Sequence, residues 1–216
     1  MSNEELELNV SDELKWDPKV DAAAIAVTAD DGVVTLRGTV GTFHEKREAK
    51  KAAERVWGVK SVDNDLQVRI LDEHHREDAD LRGAVLQALT LDSLIPSTID
   101  AKVEDGRVTL TGTADWQYQR DEAEMIAGNI FGVYEVDDHI DLVRPIPDAG
   151  DVKSSIKSAF KRNAKLDADN VSVETANGTV KLSGIVSSWA EHDAAVDTAW
   201  AAPGVRSVDD NLVVDY

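Results

Sequence analysis

Four groups of residues have the side-chain types that catalysis or ligand binding requires. The adjacent histidines His74 and His75 lie among carboxylates and could hold a divalent metal ion. Ser188, His192 and Asp193 include the residue types of a hydrolase triad. Runs of carboxylates could supply a general acid and base, and glycines spaced as Gly-x5-Gly could cradle a phosphate group. Each group needs a supporting pattern before it counts as a site.

None of these groups has the pattern that its chemistry needs. The histidine pair lacks further ligands at the spacing of a formed metal centre. Ser188 begins a predicted helix without a nucleophile elbow, and the glycine motif lacks the Gly-Lys-Ser/Thr ending of a phosphate loop. The carboxylates lie before or within predicted strands, as turn and edge residues do. The sequence therefore predicts no catalytic residue, no metal site, no cofactor and no enzymatic activity.

Composition limits the partners that the chain can have. Its 216 residues contain 23 Lys and Arg against 42 Asp and Glu, for a net charge of −19. Binding to nucleic acid requires a basic surface that displaces counterions, so we expect no nucleic-acid partner. The chain contains no cysteine, which excludes disulfides and thiolate ligands. No pattern indicates a small-molecule substrate.

The start of the chain and its apolar runs bear on its location. Residues 1–8 are acidic and alternate polar with apolar side chains, whereas a signal peptide has a basic start and a continuous apolar run. No apolar stretch approaches the roughly 20 residues of a transmembrane helix. We expect a cytoplasmic protein, either free or peripheral at the inner membrane, and the sequence leaves its oligomeric state open.

Nine glycines mark an internal threefold repeat. They form three sets with the same internal spacing, namely Gly32, Gly38 and Gly58; Gly106, Gly112 and Gly132; and Gly178, Gly184 and Gly204. Similar apolar residues surround each set, so the chain divides into three modules at residues 1–72, 73–146 and 147–216. A repeat of this kind determines the fold before any single motif does.

Each module is predicted to contain two helices. The first has apolar residues at i, i+4 and i+8, which indicates an amphipathic helix. These residues are Leu6, Val10 and Leu14; Leu81, Val85 and Leu89; and Val152, Ile156 and Phe160. The second helix carries alanines four residues apart, which would let it lie close to a sheet. The third glycine of each set fits the left-handed position just past a helix end.

Three strands complete each module. Asp31-Gly32, and its counterparts Asp105-Gly106 and Asn177-Gly178, lie between two apolar-alternating runs and predict a hairpin with a type I′ turn. The third strand follows a helical crossover and should run parallel to one hairpin strand. The predicted fold class is α+β: three tandem α-β-β-α-β modules, each a three-stranded mixed sheet with both helices on one face and a polar open face.

Two sequence motifs then resemble those of the BON domain family, named after bacterial osmotically induced and nodulation proteins. Gly32 to Gly38 is similar to the family's Gly-x-Val-x-Leu-x-Gly, and Gly58 to Leu66 is similar to its Gly-Val-x-x-Val-x-Asn-x-Leu. The third copy matches equally, whereas the middle copy departs most, with His139 in its last strand. The resemblance implies a noncatalytic module that binds phospholipids or bridges proteins to membranes, often in stress-related envelope proteins.

Two basic clusters stand out against the acidic whole. One lies in the second helix of module 1, at Lys46, Arg47, Lys50 and Lys51. The other lies in the first helix of module 3, at Lys153, Lys157 and Lys161. These side chains either form solvated helix faces paired with neighbouring carboxylates or contact lipid headgroups or an acidic partner.

Two functional hypotheses follow. The first is a noncatalytic protein that uses three BON-like modules to bind phospholipid surfaces or envelope-associated partners in a stress response. The second is a cytoplasmic interaction scaffold, or a holdase-like solubilising protein, without a lipid role. Vesicle binding distinguishes the two hypotheses.

Overall fold

The computed structural model describes residues 1–69, 76–143 and 149–216. Module 1 comprises α1 (Asn3–Trp16), β1 (Ile25–Asp30), β2 (Val33–Val40), α2 (Phe43–Glu54) and β3 (Ser61–Val68). Module 2 comprises α3 (Asp78–Leu91), β4 (Asp100–Glu104), β5 (Arg107–Ala114), α4 (Gln117–Gly128) and β6 (Glu135–Leu142). Module 3 comprises α5 (Ala149–Arg162), β7 (Val171–Ala176), β8 (Thr179–Val186), α6 (Trp189–Trp200) and β9 (Ser207–Val214). The predicted order of elements is confirmed three times.

The chain divides into two compact units. The first contains residues 1–114 and 119–141, and the second contains residues 115–118 and 142–216. The predicted module boundaries at residues 72–73 and 146–147 lie outside the described residues and stay predictions. Across the described ranges, no helix combines the length and the apolar character needed to cross a membrane.

The first helix of each module buries the predicted apolar stripe. In α1, Leu6, Val10 and Leu14 are at most 3% exposed. The helix begins with a capping box, in which Ser2 Oγ accepts from the Glu5 backbone N–H at 3.2 Å and Glu5 Oε2 accepts from the Ser2 N–H at 2.8 Å. The equivalent stripes of α3 and α5 are buried in the same way.

Two requirements of the hairpin backbone explain the positions of the first two glycines in each set. Asp31 and Gly32 have φ values of 47° and 87°, which confirms the type I′ turn, and modules 2 and 3 repeat this pattern. Gly38 lies opposite Ile25 in the ladder, where a Cβ atom would meet the Ala24 carbonyl oxygen at 1.9 Å. The backbone passes too closely there for any side chain, and Gly112 and Gly184 face the same obstacle.

Each sheet has the second hairpin strand at its centre. In module 1, β2 pairs antiparallel with β1 and parallel with β3, as predicted. Val34 and Leu36 on β2 are fully buried under the helices, whereas Thr35 and Arg37 point to the open face. The first and third strands are therefore sheet edges, with α1 and α2 on one face only.

Candidate functional site

The basic cluster of α2 in module 1 is mostly engaged in local ion pairs. Lys51 Nζ lies 3.3 Å from Glu48 Oε1, and Lys50 Nζ lies 3.5 Å from Glu54 Oε1. Lys46 is half-buried, and its backbone oxygen accepts a hydrogen bond of 2.7 Å from an asparagine on β3. Lys50 and Lys51 therefore belong to a solvated helix face that is paired with carboxylates of the same helix.

Arg47 connects module 1 to module 2 within the first unit. Its guanidinium carbon lies 5.7 Å from the centroid of the Phe43 ring, and Nη2 donates to Asn129 Oδ1 at 3.3 Å. Phe43 packs on Gly128 of α4, where a Cβ atom would lie 2.6 Å from the ring. Arg47 Nε is buried without a hydrogen-bond partner among the residues that the structure describes. Arg47 is thus an intermodule contact and is poorly placed to meet an external surface.

A network of charges closes the groove between α1 and α2. Glu48 is 6% exposed and accepts from Lys19 Nζ at 2.7 Å. Burial raises the pKa of Glu48, but the hydrogen bonds and charges of Lys19 and Lys51 outweigh burial and lower it overall. Nearby, Arg55 donates to Asp17 at 2.7 Å and lies 2.9 Å from Glu13. These side chains stabilise the fold of module 1.

The lysines of α5 in module 3 have a different environment. Lys153, Lys157 and Lys161 lie on one face of α5 and line a groove of about 420 Å³ beside β7. Lys157 and Lys161 are exposed, and Lys153 is half-buried. Within the described residues, none of the three forms an ion pair. The groove also contains Asp169 and Glu174. Three lysines on its helix side therefore face an opposite wall that carries two carboxylates.

The other residues with chemical potential have structural roles. Ser188 Oγ caps α6 by accepting from the Glu191 N–H at 3.2 Å, whereas His192 Nε2 lies 2.7 Å from Asp210 Oδ2. Burial lowers the pKa of His192, but Asp193 and Asp210 raise it above its ordinary value overall. Serine and histidine thus have separate partners, and the arrangement lacks the nucleophile–base hydrogen bond of a triad.

Metal-ligating clusters are absent from the part of the chain that the structure describes: no group of three or more His, Asp or Glu side chains could hold an ion there. The candidate pair His74 and His75 lies outside the described residues.

Comparison with known proteins settles the family. The sequence model of the BON domain matches residues 2–70, 77–144 and 148–216, which covers all three modules. The chain belongs to the BON domain family. The resemblance is therefore confirmed for each module, including the divergent middle one.

This BON protein is similar to two curated proteins over about half of its length. It is 38% identical over 117 residues to osmotically-inducible protein Y of Escherichia coli, covering 52% of this chain and 58% of that protein. It is 31% identical over 119 residues to an uncharacterized protein in the gshII 5′ region of Anaplasma centrale, covering 52% of this chain and 78% of that protein.

Two solved structures that match this chain are distant from it in sequence. CdsD, a structural protein of the type III secretion system of Chlamydia trachomatis, is 16% identical with a TM-score of 0.28, covering 98% of this chain and 92% of that chain. The PrgH periplasmic domain is 10% identical with a TM-score of 0.25, covering 95% of this chain and 99% of that chain.

The sequence did not indicate which of the two basic helices would have lysines without ion pairs to described residues. It also missed the groove beside β7, because the groove forms between residues of α5 and a strand that follows a separate connection. The i, i+4, i+8 spacing of the three lysines is the one signal that could have singled out this face.

Proposed function

We propose that this BON protein is a noncatalytic binding protein that attaches to anionic phospholipid surfaces through α5 of module 3, in a stress response. The observation that carries the proposal is the row formed by Lys153, Lys157 and Lys161, which form no ion pair within the described residues. Lysines near an anionic membrane surface each contribute about 1 kcal/mol of attraction. Three aligned lysines therefore contribute up to about 3 kcal/mol of attraction, which supports weak and reversible attachment although the chain as a whole is acidic.

The acidic remainder of the chain limits how the protein can approach a membrane. With a net charge of −19, most orientations bring carboxylates toward the lipid and are repelled. Salt screens charges beyond about 10 Å at 0.1 M, so the local row of lysines dominates at contact while distant carboxylates matter less. The proposal therefore requires orientation with α5 toward the surface, and attachment that weakens at high salt.

Vesicle cosedimentation tests the proposal. The protein is expected to sediment with phosphatidylglycerol-containing vesicles at about 0.1 M salt and not with purely zwitterionic ones. The triple variant Lys153→Gln, Lys157→Gln, Lys161→Gln should bind roughly 100-fold more weakly, because three contributions of about 1 kcal/mol are lost. The matched control Lys46→Gln, Lys50→Gln, Lys51→Gln removes as many lysines from α2 and should bind like the unaltered protein. Equal losses in both variants, or no binding by the unaltered protein, would reject the proposal.

A further inference from the structure

The groove between α5 and α6 of module 3 has charged side chains on both walls. It has a volume of about 910 Å³ and is lined by Arg162 and Lys165 on the α5 side and by Asp193 and Asp197 on α6. Asp193 contacts His192 of its own helix, with Oδ1 3.1 Å from Nδ1. Within the described residues, the other three side chains form no ion pair. The groove therefore holds charges of both signs that do not pair across it.

The equivalent groove of module 1 shows how this fold fills such a space. There Arg55 Nη2 donates a hydrogen bond of 2.7 Å to Asp17 Oδ2 and lies 2.9 Å from Glu13 Oε1. In module 3, Ala201 stands at the position of Arg55 and Ala159 stands at that of Glu13. The guanidinium group and the carboxylate that close the groove in module 1 are therefore replaced by two methyl groups, which leaves room for a ligand.

The carboxylates on α6 make that wall attractive to cations. Asp193 and Asp197 are four residues apart, or about 6 Å along the helix axis. Burial and the charge of Asp193 raise the pKa of Asp197 above its ordinary value, although His192 opposes this. A cation beside the pair would offset the repulsion between the two carboxylates. Arg162 and Lys165 on the other wall repel cations, so the α6 side is the one that suits them.

The backbone of the two walls determines the form of the ligand. Backbone groups within both helices are already bonded to one another, so an extended peptide would find no main-chain partners. A helix satisfies its own backbone and needs side-chain contacts alone. Ala159 and Ala194 are half-buried and small, which lets a helix axis approach closely. The lining of α6 runs from Ala190 to Ala201, about 16 Å or three helical turns, so a short α-helix fits.

We propose that this groove binds an amphipathic α-helix of a partner protein, with small or apolar residues against the alanines and basic residues facing Asp193 and Asp197. Helices that dock in grooves are anchored by side chains at i, i+3, i+4 and i+7. Basic residues four apart on such a helix have the same spacing as the two carboxylates. Acidic residues on its other flank meet Arg162. The groove is distinct from the one beside β7 that the three α5 lysines line.

A designed helical peptide tests this inference. The probe is a sixteen-residue peptide with one stripe of leucines, lysines four residues apart on one flank and glutamates on the other. Its binding to the full chain is measured by fluorescence anisotropy at about 0.1 M salt. The variant Asp193→Lys, Asp197→Lys should bind it at least about tenfold more weakly. A second peptide, with glutamates in place of the lysines, should bind this variant more tightly than the unaltered chain, because the charges are complementary again.

Two further changes test the groove and the helix separately. The variant Ala159→Glu, Ala201→Arg recreates the crossing pair of module 1 without changing the net charge, and it should weaken binding at least about tenfold. The control Ala26→Glu, Ala176→Arg adds the same side chains at exposed positions outside the groove and should bind like the unaltered chain. A proline at the centre of the peptide keeps its charge but breaks the helix, and should also weaken binding at least about tenfold.

The alternatives give different outcomes. Nonspecific attraction to the acidic chain would leave the proline peptide and the Ala159→Glu, Ala201→Arg variant binding normally, which would overturn the inference. Absence of binding by the designed peptide would overturn it as well. The glutamine variant of Lys153, Lys157 and Lys161 should bind the peptide like the unaltered chain, and a loss there would place the peptide at the other groove. This inference goes beyond the lipid proposal, because vesicle binding can fail while the peptide result stands.

Discussion

Module 1 and module 3 share one fold but use their basic helices differently. In module 1, Lys50 and Lys51 are paired with carboxylates of their own helix, and Arg47 reaches across to module 2. In module 3, the three lysines of α5 face a groove and pair with no described residue. Similar clusters of positive charge in a sequence therefore differ, once the chain has folded, in whether their side chains are already held in ion pairs.

The groove between the two helices of a module is likewise filled by charged side chains in module 1 and open in module 3. In module 1, Arg55 crosses this groove to Asp17 at 2.7 Å and Glu13 at 2.9 Å, and Glu48 is buried beneath two lysines. The positions equivalent to Glu13, Glu48 and Arg55 in module 3 are the alanines Ala159, Ala194 and Ala201. A cavity of about 910 Å³ opens there. Module 1 is closed by its own charges, whereas module 3 leaves concave surfaces open.

The largest expected effect tests the hairpin structure that modules 1 and 3 share. Gly38→Ala and Gly184→Ala each place a Cβ atom within 2.0 Å of a backbone oxygen at positive φ. We expect each to lower the free energy of unfolding by at least about 3 kcal/mol, as measured by urea denaturation. Arg37→Ala, on the exposed face, is the control and should change it by less than about 0.5 kcal/mol. A much smaller loss in either glycine variant would show that the two hairpins are not equivalent.

The next effect should separate the modules. Arg55→Met leaves the buried carboxylate of Asp17 without its guanidinium, which should lower the free energy of unfolding by about 2 kcal/mol. Ala201→Met makes the matched change at the equivalent, exposed position of module 3 and should alter it by less than about 0.5 kcal/mol. Urea denaturation of both variants measures the difference. Equal effects would mean that the ion network does not distinguish the modules.

The fold was more predictable from the sequence than the candidate site, for a physical reason. The Asp31-Gly32 turn and the Leu6 stripe depend on the φ preferences and periodicity of residues close in sequence. The availability of a lysine depends on partners far along the chain. Glu48 binds Lys19 from 29 residues away, and Arg47 binds Asn129 from 82 residues away. No local pattern marks such pairs.

A pH dependence should sharpen the contrast between the modules. His192 of module 3 pairs with Asp210, whereas at the equivalent Lys46 it is the backbone oxygen that accepts a hydrogen bond, from Asn64 Nδ2. The pKa of His192 is raised above its ordinary 6.5. Its stabilising contribution is therefore complete below about pH 6.5 and is lost as pH rises through the raised pKa. The free energy of unfolding should fall by about 1 kcal/mol across this range.

Urea denaturation across that pH range measures the histidine effect. The variant His192→Gln should show a flatter profile over the same range, because it has no titrating group at this position. Asp193 and Asp197 also lie near His192, and both remain in the variant. An unchanged slope in His192→Gln would therefore assign the pH dependence to other groups.

The smallest effect concerns the first strand of modules 1 and 3, which lies at the edge of the sheet in each. Glu7→Ala removes the acceptor of the Ala29 N–H, so amide exchange at Ala29 should accelerate while the free energy of unfolding changes by less than about 1 kcal/mol. Lys153→Ala changes the equivalent helix position of module 3 and should leave exchange at Val173, the counterpart of Ala101, unaltered, because Lys153 forms no hydrogen bond with described residues of β7. Hydrogen exchange followed by NMR resolves both amides. If Lys153→Ala also accelerated exchange at Val173, Lys153 would protect β7 as Glu7 protects β1, and the contrast between these two helix positions would fail.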